Sequence, residues 1–346
     1  MTHSILAKSS KGFVLGKFMP PHRGHQFLVD FARGMVDQLV IVVGSLPDEP
    51  IPGDLRYQWM KQLYPDCEVV HLDAVLPQYP HEAASEAEFW DLWRSHLQAL
   101  LPWPVDFVFA SEDYGRRLAE ELNARFIPMN QSRELVPISG TAIRQAPFTH
   151  WEYLPELVRP YFVKKICLFG PESTGKSTLA QKLATHFKTH WVPEYAQSWM
   201  NYRQGQVALE DMPVIVKGQL ATEAALLKQA NRYLFCDTDV LTSILWSEEL
   251  FGQVDDRLWQ LAAENHYDLT LLCSPDVPWV NDLHRLRPDN RQAFFERCVQ
   301  ILEKHQRPYT VLSGNWNARW EQSLQKIAAE DVLAPVYDQS KEQHTI

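Results

Sequence analysis

Cysteine is scarce and poorly spaced for chemistry. The five residues, Cys67, Cys167, Cys236, Cys273 and Cys298, form no CxxC pair and have no zinc-like spacing to histidine. A disulfide framework, a dithiol redox motif and a structural zinc site are all disfavoured, and buried thiols in a reducing compartment are the simplest reading. Long apolar runs are also missing: none approaches the ~20 residues that a membrane helix requires. The amino-terminal stretch MTHSILAKSSKGFVLG lacks the continuous apolar segment of a signal peptide. Membrane insertion is not expected, and cytoplasmic residence is the default. Positive charge is in deficit, with 33 Lys and Arg against 43 Asp and Glu, a net charge of -10. A field of that sign repels nucleic acid, so no nucleic-acid partner is expected. Phosphate ligands remain open, because backbone amides and a few placed cations bind them locally. Internal repeats, low-complexity tracts and coiled-coil heptads are absent as well. The 346 residues, 45% hydrophobic and 22% charged, suffice for two ordinary globular domains.

Two short apolar runs recur in the same role. Phe13-Val14-Leu15-Gly16 and Lys165-Ile166-Cys167-Leu168-Phe169-Gly170 each read as a strand running into a phosphate-type loop. After the first, HQFLVDFARGMV has helical apolar spacing, and QLVIVVGS, CEVVHLDAV and PVDFVFASE read as buried strands. After the second come the helix STLAQKLATHF, the strand HWVPE, a long amphipathic stretch through Ala230, and the strands YLFCDTD and DLTLLCSP. This alternation predicts an α/β protein of two doubly wound parallel-sheet domains. The expected division is 1–145 and 164–337, with a connector at 146–163 and a frayed polar tail at 338–346. The connector, rich in proline and aromatic residues, reads as packed rather than floppy.

The first candidate site follows strand one: Gly16-Lys17-Phe18-Met19-Pro20-Pro21-His22-Arg23-Gly24-His25. Two histidines three apart at the mouth of a helix lie on one side of its first turn, beside unpaired backbone amides and the positive dipole end. Gly16 and Gly24 allow strand end and helix start to approach a ligand closely. Such a place suits a polyphosphate, and the chemistry it would serve is attack by a phosphate oxygen on the α-phosphorus of ATP. That nucleophile is already anionic, so positioning and charge stabilisation suffice, and His22, His25, Lys17 and Arg144 are the side chains suited to supply them.

The second candidate site is Gly170-Pro171-Glu172-Ser173-Thr174-Gly175-Lys176-Ser177, followed by Thr178, a P-loop between a predicted strand and a helix. Its amides would cradle the β-phosphate, Lys176 would bridge the β- and γ-phosphates, and the Ser177 hydroxyl would bind magnesium. A kinase acting on an alcohol also needs a carboxylate near the acceptor hydroxyl. Glu194 could hold ribose hydroxyls or act as that base, Asp237 suits the magnesium or its water, and Asp239 could reach the substrate. Helix N-capping is the alternative for each. The segment from Trp279 to Arg287, with Arg285, Arg287 and the nearby Arg291, is a basic loop that could close over ATP.

The pair GKFMPPHRGH and ISGTAIR is similar to the nucleotidyltransferase superfamily of α/β phosphodiesterase type. That resemblance assigns the two histidines, with Ser139, Thr141 and Arg144, to ATP phosphates, and Phe18 and Met19 lie in the same contact set. The whole chain resembles the bifunctional NadR-type family, through those motifs and through VFASEDYG, WEYLPELVRPYF, GPESTGKST, PEYA, DTDVLT and PWVND. The resemblance implies a Rossmann-like nucleotidyltransferase followed by a P-loop kinase. It implies phosphorylation of nicotinamide riboside by ATP and adenylylation of the resulting nicotinamide mononucleotide to NAD, with Mg2+ and with NAD as product ligand. It places Arg56, Ser111, Glu112 and Asp113 near the mononucleotide or adenine, and Trp279, Asn281 and Asp282 near the ribosyl substrate. Functional coupling to a nicotinamide riboside transporter and a homo-oligomer are compatible with it.

Three departures stand out. The family often begins with a DNA-binding helix-turn-helix, whereas strand one here starts at about residue 13, so no repressor function is expected. Gln197 replaces the arginine of EYAR, and Leu283 the glycine of DDGxR. A coenzyme A synthesis enzyme pair is the nearest rival, but it usually carries threonine where this chain has His22. A nucleotide-sensing regulatory protein with vestigial activity is the alternative from another class.

Overall fold

A computed structural model of the chain describes residues 9–132, 134–279 and 290–332. Two compact units divide between Val158 and Arg159, so most of the segment expected as a connector belongs to the first unit. Trp151, Leu154 and Val158 of that segment are buried.

The first unit runs β1 (Lys11–Gly16), α1 (Arg23–Met35), β2 (Gln38–Gly44), α2 (Gly53–Leu63), β3 (Glu68–Leu72), α3 (Glu86–Leu100), β4 (Phe107–Ala110), α4 (Tyr114–Glu121), β5 (Arg125–Pro128) and α5 (Gly140–Gln145). Its five strands are ordered β3-β2-β1-β4-β5, all parallel. Side chains alternate between the two faces of a strand: Phe13 and Leu15 of β1 join Val40 and Val42 in one core cluster, while Val14 joins Ile41 and Val43 in the other. Helices cover both faces, which is why β1 and β2 read as continuous apolar runs rather than alternating ones.

The second unit runs β6 (Lys164–Phe169), α6 (Lys176–Phe187), β7 (Trp191–Val192), α7 (Tyr195–Tyr202), α8 (Met212–Leu227), β8 (Tyr233–Asp237), α9 (Val240–Phe251), α10 (Asp256–Glu264), β9 (Leu269–Cys273), α11 (Arg291–Lys304), β10 (Tyr309–Leu312) and α12 (Trp316–Val332). Its sheet order is β10-β9-β6-β8-β7, again parallel throughout. Cys167, Cys236, Cys273 and Cys298 are buried free thiols, and Cys67 is partly buried. Burial pushes the Cys167 and Cys236 thiols well above their ordinary range, so they pack as small hydrophobes. The long amphipathic stretch expected through Ala230 is two helices, α7 and α8, and the strand expected in HWVPE has only two residues. Two strands, β5 and β10, were not foreseen. Among the described residues no helix is long and apolar enough to cross a membrane.

In both sheets the order of successive strands reverses beside the first strand of the unit, β1 or β6. In open α/β sheets ligands gather at the carboxyl ends of strands at such a switch point, and both sequence motifs lie there. The second of these edges is braced by Arg319, which is 1% exposed. Its guanidinium donates to the carbonyls of Gly314 (3.0 Å), Thr174 (2.9 Å) and Ser274 (2.8 Å), and it pairs with Asp276. Replacing it leaves three carbonyls without their donor, so Arg319→Met is expected to destabilise the second unit by about 2–4 kcal/mol. Urea unfolding measures this; an unchanged midpoint would show that other donors take over.

Two candidate phosphate-handling sites

In the first unit, β1 ends at Gly16 and the chain turns through Lys17 to Pro21 into α1. Phe18 adopts a left-handed φ of 48°, a conformation that costs a non-glycine residue about 1–3 kcal/mol and recurs at functional loops. Its ring is 1% exposed and packs in the core against Gly16, so the expected ligand contact by this side chain is not available and the residue instead shapes the loop. His22 is the N-cap of α1: its Nδ1 accepts from the N–H of Gly24 (3.1 Å) and of His25 (3.3 Å). The amides expected to be open are therefore satisfied by a histidine. With Nδ1 as acceptor, a neutral His22 carries its proton on Nε2. The His25 ring stacks on it with centroids 3.7 Å apart.

The ISGTAIR segment docks onto this turn. Ser139 caps α5 through the Ala142 N–H (3.1 Å). Arg144, 7% exposed, donates to the Met19 carbonyl and, at 3.2 Å, to Thr141 Oγ1. Gly140 lies so close that a Cβ there would stand 2.5 Å from the Met19 carbonyl oxygen; only glycine lets these two segments touch. Two motifs more than a hundred residues apart are thus one surface.

Arg56 departs from expectation. It is 0% exposed and donates to the carbonyls of Ile51 (2.9 Å), Lys17 and Gly44 (3.0 Å) and to Glu49. A guanidinium with four donors already committed and no exposed surface holds the loops together rather than contacting a mononucleotide. Glu49, which no motif had marked, also pairs with Lys17 Nζ at 2.8 Å. Burial opposes its ionisation, but Lys17, the Leu46 N–H and Arg56 outweigh that and hold its carboxyl below the usual range. A small adjoining pocket is lined by Gly16, Lys17, Gly44, Ser45, Leu46 and Trp93, among others. Ser111, Glu112 and Asp113 follow β4, at the switch point beside β1.

In the second unit the P-loop joins β6 to α6. Gly170 (φ 129°) would set a Cβ 2.7 Å from the Cys273 carbonyl oxygen, and Ser173 is left-handed at φ 57°. Gly175, the N-cap, supplies no side-chain cap, so nothing on the residue competes for the first amides of α6. Thr174 was expected at the ligand, but it is 1% exposed and its Oγ1 donates to the Pro171 carbonyl at 2.8 Å, shaping the loop. Lys176 Nζ donates to the same carbonyl at 2.8 Å.

A cavity of about 160 Å³ opens beside this loop, lined by Lys176, Ser177, Glu194, Gln197, Thr242 and Trp246, among others. Glu194 stands at the start of α7 without a side-chain capping bond, so its carboxyl is turned to the cavity. Burial and the neighbouring Asp237 charge push it up to about 7, against Lys176 and the Gln197 amide, which donates to it at 3.4 Å. Gln197 therefore orients Glu194. Asp237 is 1% exposed. Burial raises its carboxyl, with Lys176 and the Ser177 hydroxyl opposing, and its Oδ1 has no hydrogen-bond partner. An orphaned, buried carboxylate oxygen next to the P-loop hydroxyl is a donor set that fits Mg2+. Asp239 differs from expectation: at 4% exposed it caps α9 through the Thr242 N–H (3.0 Å) and hydroxyl (3.4 Å), and burial raises it to about 6. Its side chain serves the fold.

Sequence reasoning missed Gln219 and Trp246. Gln219, 3% exposed, accepts from the Tyr195 N–H at 2.9 Å and donates to the Asp237 carbonyl at 3.5 Å, fixing Glu194 relative to Asp237. Trp246 lies one turn beyond Thr242, a spacing that could have marked it once α9 was known to start at the cavity. Trp279 lies against Arg291, 5.6 Å from ring to guanidinium, and does not line the cavity. Asn281, Asp282, Leu283 and Arg285, and the tail from 338, lie outside the described residues.

A family model described as an AAA domain matches residues 165–319. The trifunctional NAD biosynthesis/regulator protein NadR of Escherichia coli is 30% identical over 325 residues, covering 86% of this chain and 77% of that protein. A nicotinamide-nucleotide adenylyltransferase of Methanoculleus marisnigri is 28% identical over 147 residues, 42% of this chain and 84% of its own. Among solved structures, that of NadR protein in complex with NAD and AMP-PNP superposes with a TM-score of 0.78 at 19% identity, over 97% of this chain and 99% of that one, a likeness of fold. At this identity and coverage, the chain belongs to the NadR family of NAD biosynthesis proteins.

Proposed function

We propose that the protein is a bifunctional transferase of NAD synthesis: it phosphorylates nicotinamide riboside with ATP and adenylylates the product, nicotinamide mononucleotide, with a second ATP to give NAD and pyrophosphate. The observation that carries the proposal is the presence in one chain of two strand-end sites of opposite design. One gathers cations and histidines, with the neighbouring Glu49 carboxylate already committed to Lys17 and Arg56. The other sets a raised carboxylate beside a P-loop lysine.

At the second site, the γ-phosphate of ATP lies against the α6 amides and Lys176. Glu194 takes the proton of the riboside hydroxyl, whose oxygen bonds to the γ-phosphorus as the bond to the β-γ bridging oxygen breaks and ADP leaves. Ser177 and Asp237 would hold magnesium, which when bound neutralises charge on the β- and γ-phosphate oxygens. At the first site, an oxygen of the mononucleotide phosphate attacks the α-phosphorus of ATP and pyrophosphate departs. His22 Nε2, His25, Lys17 and Arg144 stabilise the charge on the transferring and leaving groups. As part of the same proposal the enzyme works in the cytoplasm.

Incubation of the pure chain with nicotinamide riboside, ATP and Mg2+ is expected to yield both mononucleotide and NAD; finding neither product would overturn the reading. Lys176→Ala should lower riboside phosphorylation by about a hundredfold or more while adenylylation of supplied mononucleotide persists, and His25→Ala should do the reverse. Loss of both activities from either change, in a folded protein, would contradict separate sites.

Glu194 makes the kinase pH-dependent in a defined direction. A base with its pKa raised to about 7 is mostly protonated, and idle, at pH 6. Phosphorylation is expected to rise with pH through a limb near 7 and level off above it. Glu194→Gln should lower kcat by about 10²–10⁴ and abolish the limb. A limb that survives the substitution belongs to another group.

A further inference from the structure

Glu49 sits in the loop between β2 and α2, outside the motifs of the first site, yet its carboxylate meets two cations. Oε1 forms an ion pair with Lys17 Nζ at 2.8 Å, while Oε2 accepts from Arg56 Nη2 and from the Leu46 N–H at 3.0 Å. The three side chains are graded in exposure: Arg56 0%, Glu49 8%, Lys17 23%. The cluster therefore has a closed end and an open end, and Lys17 is the member that lines the adjoining pocket. Arg56 also grips the carbonyls of Lys17 and Gly44, so the ends of β1 and β2 are tied to the loop that carries Glu49. An unpartnered lysine on its four-carbon stem would sample many rotamers; one held by a buried carboxylate is placed before any phosphate arrives. The same carboxylate leaves the two cations with a net charge of +1 rather than +2.

We propose that Glu49 is a positioning residue of the adenylylation site: it holds Lys17 at the strand end in the orientation from which the ammonium meets the polyphosphate, and it limits how tightly the cation pair retains anions. This rests on the adenylyltransferase reading of the first unit. Kinetics on the full chain with supplied mononucleotide and ATP test it. Glu49→Gln is expected to lower kcat by about tenfold, as expected for a misplaced charge-stabilising group, without raising KM for either anionic substrate, because the cluster gains positive charge. Lys17→Met should also lower kcat, and the double variant should fall no further than Lys17→Met alone, the signature of one residue acting through the other.

An unchanged kcat in Glu49→Gln, or losses that multiply in the double variant, would overturn the inference; a role in folding alone predicts the multiplied losses together with a lowered unfolding midpoint. Should Glu49→Gln fail to fold, Glu49→Asp keeps the charge but shortens the reach. A lower kcat at unchanged KM then supports the role, and an unchanged kcat refutes it. A wild-type chain that makes no NAD from these substrates refutes the adenylyltransferase reading itself, whereas an active wild type with an unresponsive Glu49→Gln refutes only the role of Glu49.

Discussion

A helix that starts directly after a parallel strand leaves its first backbone N–H groups without intrahelical partners, and both halves of this chain are organised around that constraint. The two solutions differ. At α1 the N-cap is His22, whose Nδ1 takes two of the amides, so the anion-facing role passes from backbone to imidazole. At α6 the N-cap is Gly175, left-handed and without a cap side chain, so the backbone itself faces the ligand. One strand-loop-helix plan thereby gives a site of side-chain donors in one unit and a site of main-chain donors in the other. Sheet order, the close approach of Gly140 to Met19 and the grip of Arg319 on Thr174 all serve to hold those two helix starts in place.

The parts of this arrangement that were legible in the sequence are the local ones. The spacing of HRGH and of GPESTGKS fixes which atoms share a helix start, and the apolar runs of β1, β2, β6 and β8 follow from strands buried on both faces. Edge strands carry less signal: RFIP and YTVL are four residues long and only partly buried, too short for periodicity to separate from loop. Partners distant in sequence carry none. Gln219 is 24 residues from Tyr195 and 18 from Asp237, and nothing in either neighbourhood announces the bridge.

The misread residues share a cause. Arg56, Thr174 and Asp239 are polar residues in or beside loops near a ligand motif, and composition alone cannot say whether such a group faces the ligand or the protein. Burial decides, and it is a property of the fold. Arg56 and Asp239 are enclosed and hydrogen-bonded by neighbours 5 to 39 and 3 residues away respectively. Each is costly to enclose and would be costlier to leave unpaired, so burial together with satisfied hydrogen bonds marks them as framework, whereas the equally buried Asp237 keeps an Oδ1 without a partner.

Charge balance separates the two sites more sharply than shape does. In the first, Lys17 and Arg56 pair with one carboxylate, Glu49, and that cluster keeps a surplus positive charge, as a pocket for phosphate nucleophile and triphosphate requires. In the second, among the described residues, Glu194 and Asp237 converge on Lys176, and a triphosphate brought there adds further negative charge. Two carboxylates and a polyphosphate cannot share a poorly solvated cleft without added positive charge. The strain is already visible in Glu194, pushed up to about 7 with Asp237 as the second contributor after burial. A divalent cation between Asp237 Oδ1 and the Ser177 hydroxyl would relieve it, lowering the cost of keeping Glu194 ionised while the phosphates are bound. In the proposed mechanism the metal and the base would therefore be coupled: Glu194, in taking the proton, would depend electrostatically on the ion that neutralises the phosphates.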